Sequence, residues 1–303
     1  MSVAHEVPDG GGGQAEGGGL RSPRVLLRTI APPREIAPFV HHFWVFESGT
    51  GLPDGDARVV VPNGRPKLIV PYRNALAARR AASREDQIHG PGDPVVIGHW
   101  EEPTILASTP EPTCTIGVEL RPDGLARFFP PDAHELTSRI VPLADVLGRV
   151  GRELGQRVAE AESLDAAVAL VRDFLLAAFA RATAPPPIVG AALDLLAASG
   201  FRMEVNELER RTGYSRRYLH ALFLRHVGLP PKRLASVLAF ERLYRRFSQD
   251  KSAEQLRQDA LDVFYDQSHF IRSFRRFTGH APGRFAELEN EFGRIFYVQR
   301  TGR

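Results

Sequence analysis

Cysteine is almost missing. Cys114 stands alone among 303 residues, so an intramolecular disulfide framework is excluded and a reducing cytoplasm is the expected setting. Long hydrophobic runs are missing as well. No stretch of eighteen uncharged apolar residues occurs, so no membrane-spanning helix is expected and no membrane partner. The first twenty residues are acidic and glycine-rich, without the basic start and apolar stretch of a secretion signal. They read as a disordered tail over 1–20. No glycine-rich phosphate loop, nucleophile elbow or paired-histidine metal motif occurs, so neither catalytic residues nor a cofactor is expected. His41, His42, His89 and His99 lack ligand spacing with cysteine or carboxylate, so no metal is expected either. Cys114 lies in the strand-like run Thr113-Cys114-Thr115-Ile116 and reads as a buried, inert thiol.

What is present is unevenly spread. The net charge is only +3, but residues 188–290 carry 17 Lys+Arg against 12 Asp+Glu, and residues 1–187 carry 19 against 23. The basic end is therefore C-terminal, where a polyanion is the fitting partner. Three consecutive prolines, Pro185 to Pro187, set among small residues mark a linker over 181–187. Between 21 and 180 the texture is first extended, then helical. Val59-Val60-Val61, Lys67-Leu68-Ile69-Val70, Val95-Val96-Ile97 and Thr113 to Leu120 are strand-like, and Pro62-Asn63-Gly64 between the first two carries a hairpin signal. Leu143, Val146, Leu147 and Val150 take helical spacing, as do Val168, Val171, Leu175 and Phe179. The fold class expected is α+β. A small N-terminal β-barrel or sheet domain with appended helices (21–180) precedes an all-α C-terminal domain (188–290) and a tail (291–303).

After the linker the spacing is helical almost throughout. Val205-Asn206-Glu207-Leu208 starts a short helix, Thr212-Gly213-Tyr214 turns sharply, and Ser215 can cap a helix from Arg216 to about His226. That helix buries Leu219, Leu222 and Phe223 and shows Arg216, Arg217, His220 and Arg225. A second copy follows, with a helix over 253–263, a turn at Phe264-Tyr265, a cap at Asp266 and a helix from Gln267 to Thr278. This one buries Phe270, Phe274 and Phe277 and shows Ser268, Ile271, Arg272, Arg275 and Arg276. Between them, 232–247 forms one connecting rod with Leu234, Leu238 and Leu243 on a stripe. A short helix, a glycine turn and a capped basic helix make the helix-turn-helix layout.

Residues 188–290 resemble the DNA-binding domain of the AraC family of transcription regulators. Gly213-Tyr214-Ser215-x-Arg217-Tyr218-Leu219, Val227-Gly228-Leu229-Pro230-Pro231-Lys232, and Tyr265-Asp266-Gln267-Ser268-His269-Phe270-Ile271-Arg272-x-Phe274 carry the likeness. The N-terminal part is more loosely similar to a sensor region of some members, through Phe39-Val40-x2-Phe43-Trp44, Val61-Pro62-Asn63-Gly64 and Ile116-Gly117-Val118-x-Leu120-Arg121-Pro122.

The resemblance implies double-stranded DNA as partner, with each unit's second helix in a major groove. Base-reading positions then fall on Arg217, His220, Ser268, Ile271 and Arg272. Phosphate contacts fall on Arg216, Arg225, Lys232, Arg275 and Arg276, which give affinity and salt dependence without sequence information. It also implies a small-molecule effector, RNA polymerase and a homodimer as partners, the last through amphipathic helices in 140–180, which could equally pack on the barrel. The aromatic cluster Phe39, His41, Phe43 and Trp44 is the expected effector pocket, with strand alternation sending His42, Trp44 and Phe46 to the face opposite Phe39, His41 and Phe43. Departures from the family pattern are also legible. Glu209 replaces a small residue, and a buried carboxylate there would splay the first unit. Ala221 cannot reach a base. The second turn lacks its glycine near Val263. Two alternatives stay open: a protein-interaction or ligand-binding protein with degenerate helix-turn-helix units, and an enzyme domain fused to a DNA-binding one.

Overall fold

Among the described residues the first half forms eleven short strands in two sheets. The computed structural model describes residues 3–6, 25–52, 59–80, 85–130, 132–250 and 267–287. The larger sheet has strands β1 (Val3–Glu6), β2 (Val25–Ile30), β3 (Val40–Ser48), β5 (Lys67–Arg73), β8 (Val95–Ile97), β10 (Thr113–Leu120) and β11 (Ile140–Pro142). Their order is β1-β2-β3-β10-β5-β8-β11, antiparallel throughout. The smaller sheet joins β4 (Val59–Val60), β9 (Thr104–Ser108), β6 (Leu76–Arg80) and β7 (Gln87–His89) in that order.

β10 is buried along its whole length. It lies between β3 and β5, and both of its faces are covered, which is why its sequence shows no polar alternation. On one face Phe43, Val45, Leu68, Val70, Ile116 and Val118 meet helices α1 (Leu125–Phe128), α2 (Leu143–Leu147), α3 (Arg149–Ala159) and α4 (Leu164–Arg181). On the other, Trp44, Phe46, Ile69 and Val95 meet Ala78 of the smaller sheet, with Trp100 and Ile140. Gly117 sits opposite Trp44, and a β-carbon there would lie 2.0 Å from the indole, so only glycine lets that ring lie on the strand.

Three expectations need correcting, and one open alternative is decided. The tail is not structureless throughout, because Val3–Glu6 adds to the free edge of β2. An edge strand offers unpaired backbone groups that an extended segment can satisfy. Pro62-Asn63-Gly64 does not close a hairpin, because β4 and β5 belong to different sheets and the turn crosses between them. Residues 140–142 form β11 rather than starting a helix. The apolar stripes of α2 to α4, read as free to serve either a second copy or the barrel, pack on the sheet through Leu143, Leu154, Val158, Ala167, Val171 and Leu175.

After Arg181 the chain runs extended through Pro186. Pro187, whose missing N–H costs nothing at a helix start, opens α5 (Pro187–Ala198). Then come α6 (Val205–Thr212), α7 (Arg216–His226), the twenty-residue α8 (Pro231–Asp250), α9 (Gln267–Thr278) and α10 (Pro282–Glu287). Their core gathers Leu208, Leu219, Phe223, Leu234 and Phe240 with Phe270, Phe274, Phe277 and Phe285. Phe240 of α8 packs at a tilt 4.7 Å from Phe277 and meets Phe274 edge-on at 5.5 Å, which joins the connecting helix to α9. Val61, from the N-terminal half, belongs to this same core.

Candidate nucleic-acid interface

The first unit is built by local chemistry. Gly213 takes the left-handed conformation that ends α6. Ser215 caps α7, its Oγ accepting from the backbone N–H of Tyr218 at 3.3 Å. Glu209 does not splay the unit. It is half-buried, and its carboxylate accepts from the backbone N–H of Arg216. A carboxylate at a helix N-terminus satisfies an orphan donor and complements the helix dipole, so the departure from the family pattern is a second cap.

Arg216, Arg217, His220, Ala221 and Arg225 of α7 are all exposed. Beside them the exposed Tyr214 and Tyr218 stack 5.0 Å apart, a pair that the sequence reading passed over. On α9, Ser268, Arg272, Arg275 and Arg276 are exposed while Phe270, Phe274 and Phe277 are buried. Ile271 is only half exposed and packs partly against the core. Lys232 is exposed at the start of α8. The turn at Phe264-Tyr265, the Asp266 cap, the helix expected over 253–263 and the missing glycine at Val263 lie outside the described residues.

Some of these basic side chains are already engaged by the N-terminal half. Arg276 Nη2 lies 2.5 Å from Glu101 Oε1, and Arg233 Nη2 lies 2.8 Å from Glu101 Oε2. The Glu101 side chain is only 11% exposed between them. Arg225 reaches Asp132 at 3.3 Å. Nothing local in the sequence distinguishes Glu101 from a solvated surface carboxylate.

A second contact runs through the 61–65 loop. Gly64 lies so close to α8 that a β-carbon would meet Leu238 Cδ2 at 2.5 Å. Asn63 Nδ2 donates to Glu119 Oε1 at 2.7 Å. Lys67 Nζ donates to Asn63 Oδ1 at 3.0 Å and lies 3.6 Å from Glu119. Arg65 spans Glu119 at 3.5 Å and Glu241 of α8 at 3.7 Å. Burial alone would raise the Glu119 carboxyl, but Lys67 and then Arg65, His42 and Asn63 outweigh it and hold it at about 2.

This carboxylate also meets two histidines. β3 and β10 slip register between Glu119↔His42 and Leu120↔Val40, leaving His41 as the extra residue of a bulge. His41 is therefore not separated from His42 by alternation, and their Nδ1 atoms lie 2.6 Å apart. With Glu119 they form a cluster whose ligand atoms all fall within 4.8 Å. The lack of ligand spacing in sequence was no guide here, because the carboxylate comes from a neighbouring strand. Burial first, then Arg65, holds His41 down to about 4. A divalent cation would sit beside Arg65 and Lys67, whose charges oppose it, so the cluster reads as part of the ion-pair network joining the two halves.

The apolar cavity lies between the two sheets, with a volume of about 100 Å³. Trp44, Ile69, Leu76, Val95, Ile97 and Trp100 are among its walls, and the 61–65 loop closes one side. Of the four residues expected to form an effector pocket, Trp44 lines this cavity. Phe43 is buried on the helix side, Phe39 packs against Phe179 at 6.1 Å, and His41 lies in the bulge. Trp100, Leu106 and Ile140 were missed, since they come from separate segments that only the fold brings together.

Residues 28–142 match the family described as Domain of unknown function (DUF6597), and residues 208–287 match the one described as Helix-turn-helix domain. No curated protein matches the chain significantly. Among solved structures, ToxT from Vibrio cholerae is similar over 81% of this chain and 98% of its own, at 10% identity and a TM-score of 0.46. ToxT from the same organism with a bound unsaturated fatty acid is similar over 80% of this chain and 94% of its own, at 12% identity and a TM-score of 0.45.

Proposed function

We propose that this chain, a DNA-binding transcription regulator with an AraC-type helix-turn-helix domain at its C-terminus, reads two neighbouring major-groove segments of one duplex through α7 and α9. The observation that carries the reading is a pair of helices with buried aromatic faces and exposed arginine faces, joined by a single long helix. Twenty residues at about 1.5 Å each span about 30 Å, close to the 34 Å repeat of the double helix. Arg217 and Arg272 read bases, since a guanidinium forks onto guanine N7 and O6, with His220, Ser268 and Ile271 beside them. Arg216, Arg225, Lys232, Arg275 and Arg276 hold phosphates.

The β domain serves as the sensor, binding a small-molecule effector and acting on the DNA-binding half through Glu101 and the 61–65 loop. The protein regulates rather than catalyses. Its cavity is walled largely by hydrocarbon and indole. Among the described residues no helix is long and apolar enough to cross a membrane. A duplex-DNA partner implies work in the cytoplasm. Contact with RNA polymerase and pairing with a second copy belong to the same reading.

The test is a mobility shift on the promoter region of the protein's own gene across a salt series. A specific complex that weakens steeply with salt is expected. Arg272→Ala should relax sequence preference, while Arg276→Ala should weaken all duplexes alike and flatten the salt dependence. Absence of any sequence-specific complex at low salt sinks the reading.

A further inference from the structure

We infer that the cavity between the two sheets binds a small, uncharged, largely apolar molecule bearing one hydrogen-bond acceptor, which takes the indole N–H of Trp100. The inference rests on the reading of the β domain as a sensor and adds the chemistry of its ligand.

Three observations carry it. The walls are mostly hydrocarbon and indole, from Trp44, Ile69, Val95, Ile97, Leu106 and others. A cavity of that kind repels water and accepts apolar molecules, and at about 100 Å³ with an open side its scale is that of a single ring or a short branched chain. Second, Trp100 is only 9% exposed, yet its Nε1 is buried with no hydrogen-bond partner. A buried donor left unpaired carries a desolvation cost, and an acceptor brought by a ligand removes it. His89, also in the lining, has a buried Nε2 without a partner, a second place for a polar atom.

The third observation fixes the charge. Arg65 and Lys67 line the loop side of the cavity and would invite an anion if they were free. They are not free. Glu119 faces both, at 3.5 and 3.6 Å, and Glu241 faces Arg65 at 3.7 Å. Glu241 is shared with Arg245 at 2.5 Å, and Asn63 accepts from Lys67. A carboxylate ligand would compete with two buried carboxylates already in place, and an uncharged acceptor avoids that competition.

Trp44 and Trp100 are the only tryptophans in the chain, so intrinsic fluorescence reports the cavity directly. The full-length protein is titrated with cyclohexanone, with methylenecyclohexane (in which CH2 replaces the carbonyl oxygen) and with cyclohexanecarboxylate. Binding is read by tryptophan emission and by melting temperature. Cyclohexanone is expected to bind about tenfold more tightly than the hydrocarbon, and the carboxylate most weakly. Trp100→Phe should reverse the order, the hydrocarbon then binding more tightly because the ketone oxygen leaves water without a new partner, with Trp44 still reporting. Ala78→Leu, which fills the cavity from the smaller sheet, should abolish binding of all three. Equal affinities in the unaltered protein, tightest binding of the carboxylate, unchanged binding in Ala78→Leu, or no binding at all would each overturn the inference. A mobility shift run alongside keeps the two ideas apart. A specific DNA complex without ketone preference defeats only the ligand chemistry, and loss of specific DNA binding defeats the regulator reading.

Discussion

Replacing Glu101 by alanine should tighten DNA binding, although Glu101 belongs to the other half of the molecule. Its carboxylate holds Arg276 at 2.5 Å and Arg233 at 2.8 Å. Both guanidiniums are about half exposed, so each pair is worth about 0.2–1 kcal/mol rather than a buried-pair value. If both pairs open when DNA binds, the closed state is favoured by about 0.4–2 kcal/mol, and its loss raises affinity by roughly 2- to 30-fold. The two guanidiniums face phosphate in the complex with or without Glu101, so the logarithmic salt slope should stay nearly unchanged while affinity rises. The assay is fluorescence anisotropy on a labelled duplex at four or five salt concentrations. Repeating it in Arg276→Ala and in Arg233→Ala backgrounds closes a double-mutant cycle. The gain should shrink in each single background and vanish in the double. Unchanged or weaker binding by Glu101→Ala would refute the idea that Glu101 withholds these cations from DNA.

Other outcomes follow from the same geometry. His99 is fully buried, Nε2 donating to the Pro122 carbonyl at 3.0 Å, and burial first, then Lys67, holds it near pKa 4 despite the raising effect of that hydrogen bond. Between about pH 6.5 and 4 the unfolded chain therefore binds a proton that the folded one refuses. Stability should fall by up to about 3 kcal/mol as pH drops through that window, and His99→Phe should flatten the slope in urea melts. Glu119 adds a later loss, since its folded pKa of about 2 lies below its ordinary value of 4.5 and its stabilisation disappears as pH falls between those values. Ser215→Ala should cost about 0.5–2 kcal/mol by urea denaturation, toward the low end because Glu209 still caps α7. Phe240→Ala, at the centre of the aromatic cluster, should cost about 3–5 kcal/mol in the same assay.

The helix-turn-helix half was legible because its signals are local. Gly213, Ser215 and the Phe270-Phe274-Phe277 spacing act within a few residues of where they stand, and the structure uses them as that spacing implies. What was not legible is what strands and domains bring together from afar. Alternation placed His41 and His42 on opposite faces, and one extra residue in β3 undid that. Glu119 came to the histidines only through strand pairing. Glu101 reaches Arg276 across 175 positions. Glu209 shows another kind of failure. The substitution was visible, but a carboxylate at that position could have been a buried cost or a cap, and only the place of the next helix's first N–H decides between them.

The run from Ala182 to Pro186 is five residues long, between α4 and α5. Fully extended it reaches only about 17 Å. A DNA-binding half that lets go of Glu101 therefore cannot diffuse away. It remains at an effective concentration of order millimolar relative to its own sensor half. At that concentration a contact with millimolar intrinsic affinity is already half made, so the Glu101 ion pairs and the 61–65 loop, with Val61 and Arg65, suffice to hold the closed form. The same tether keeps the closed form easily left, because no single contact need be strong. Lengthening the run with a flexible insert would lower that concentration and shift the balance toward the open, DNA-competent form without altering a residue at either surface.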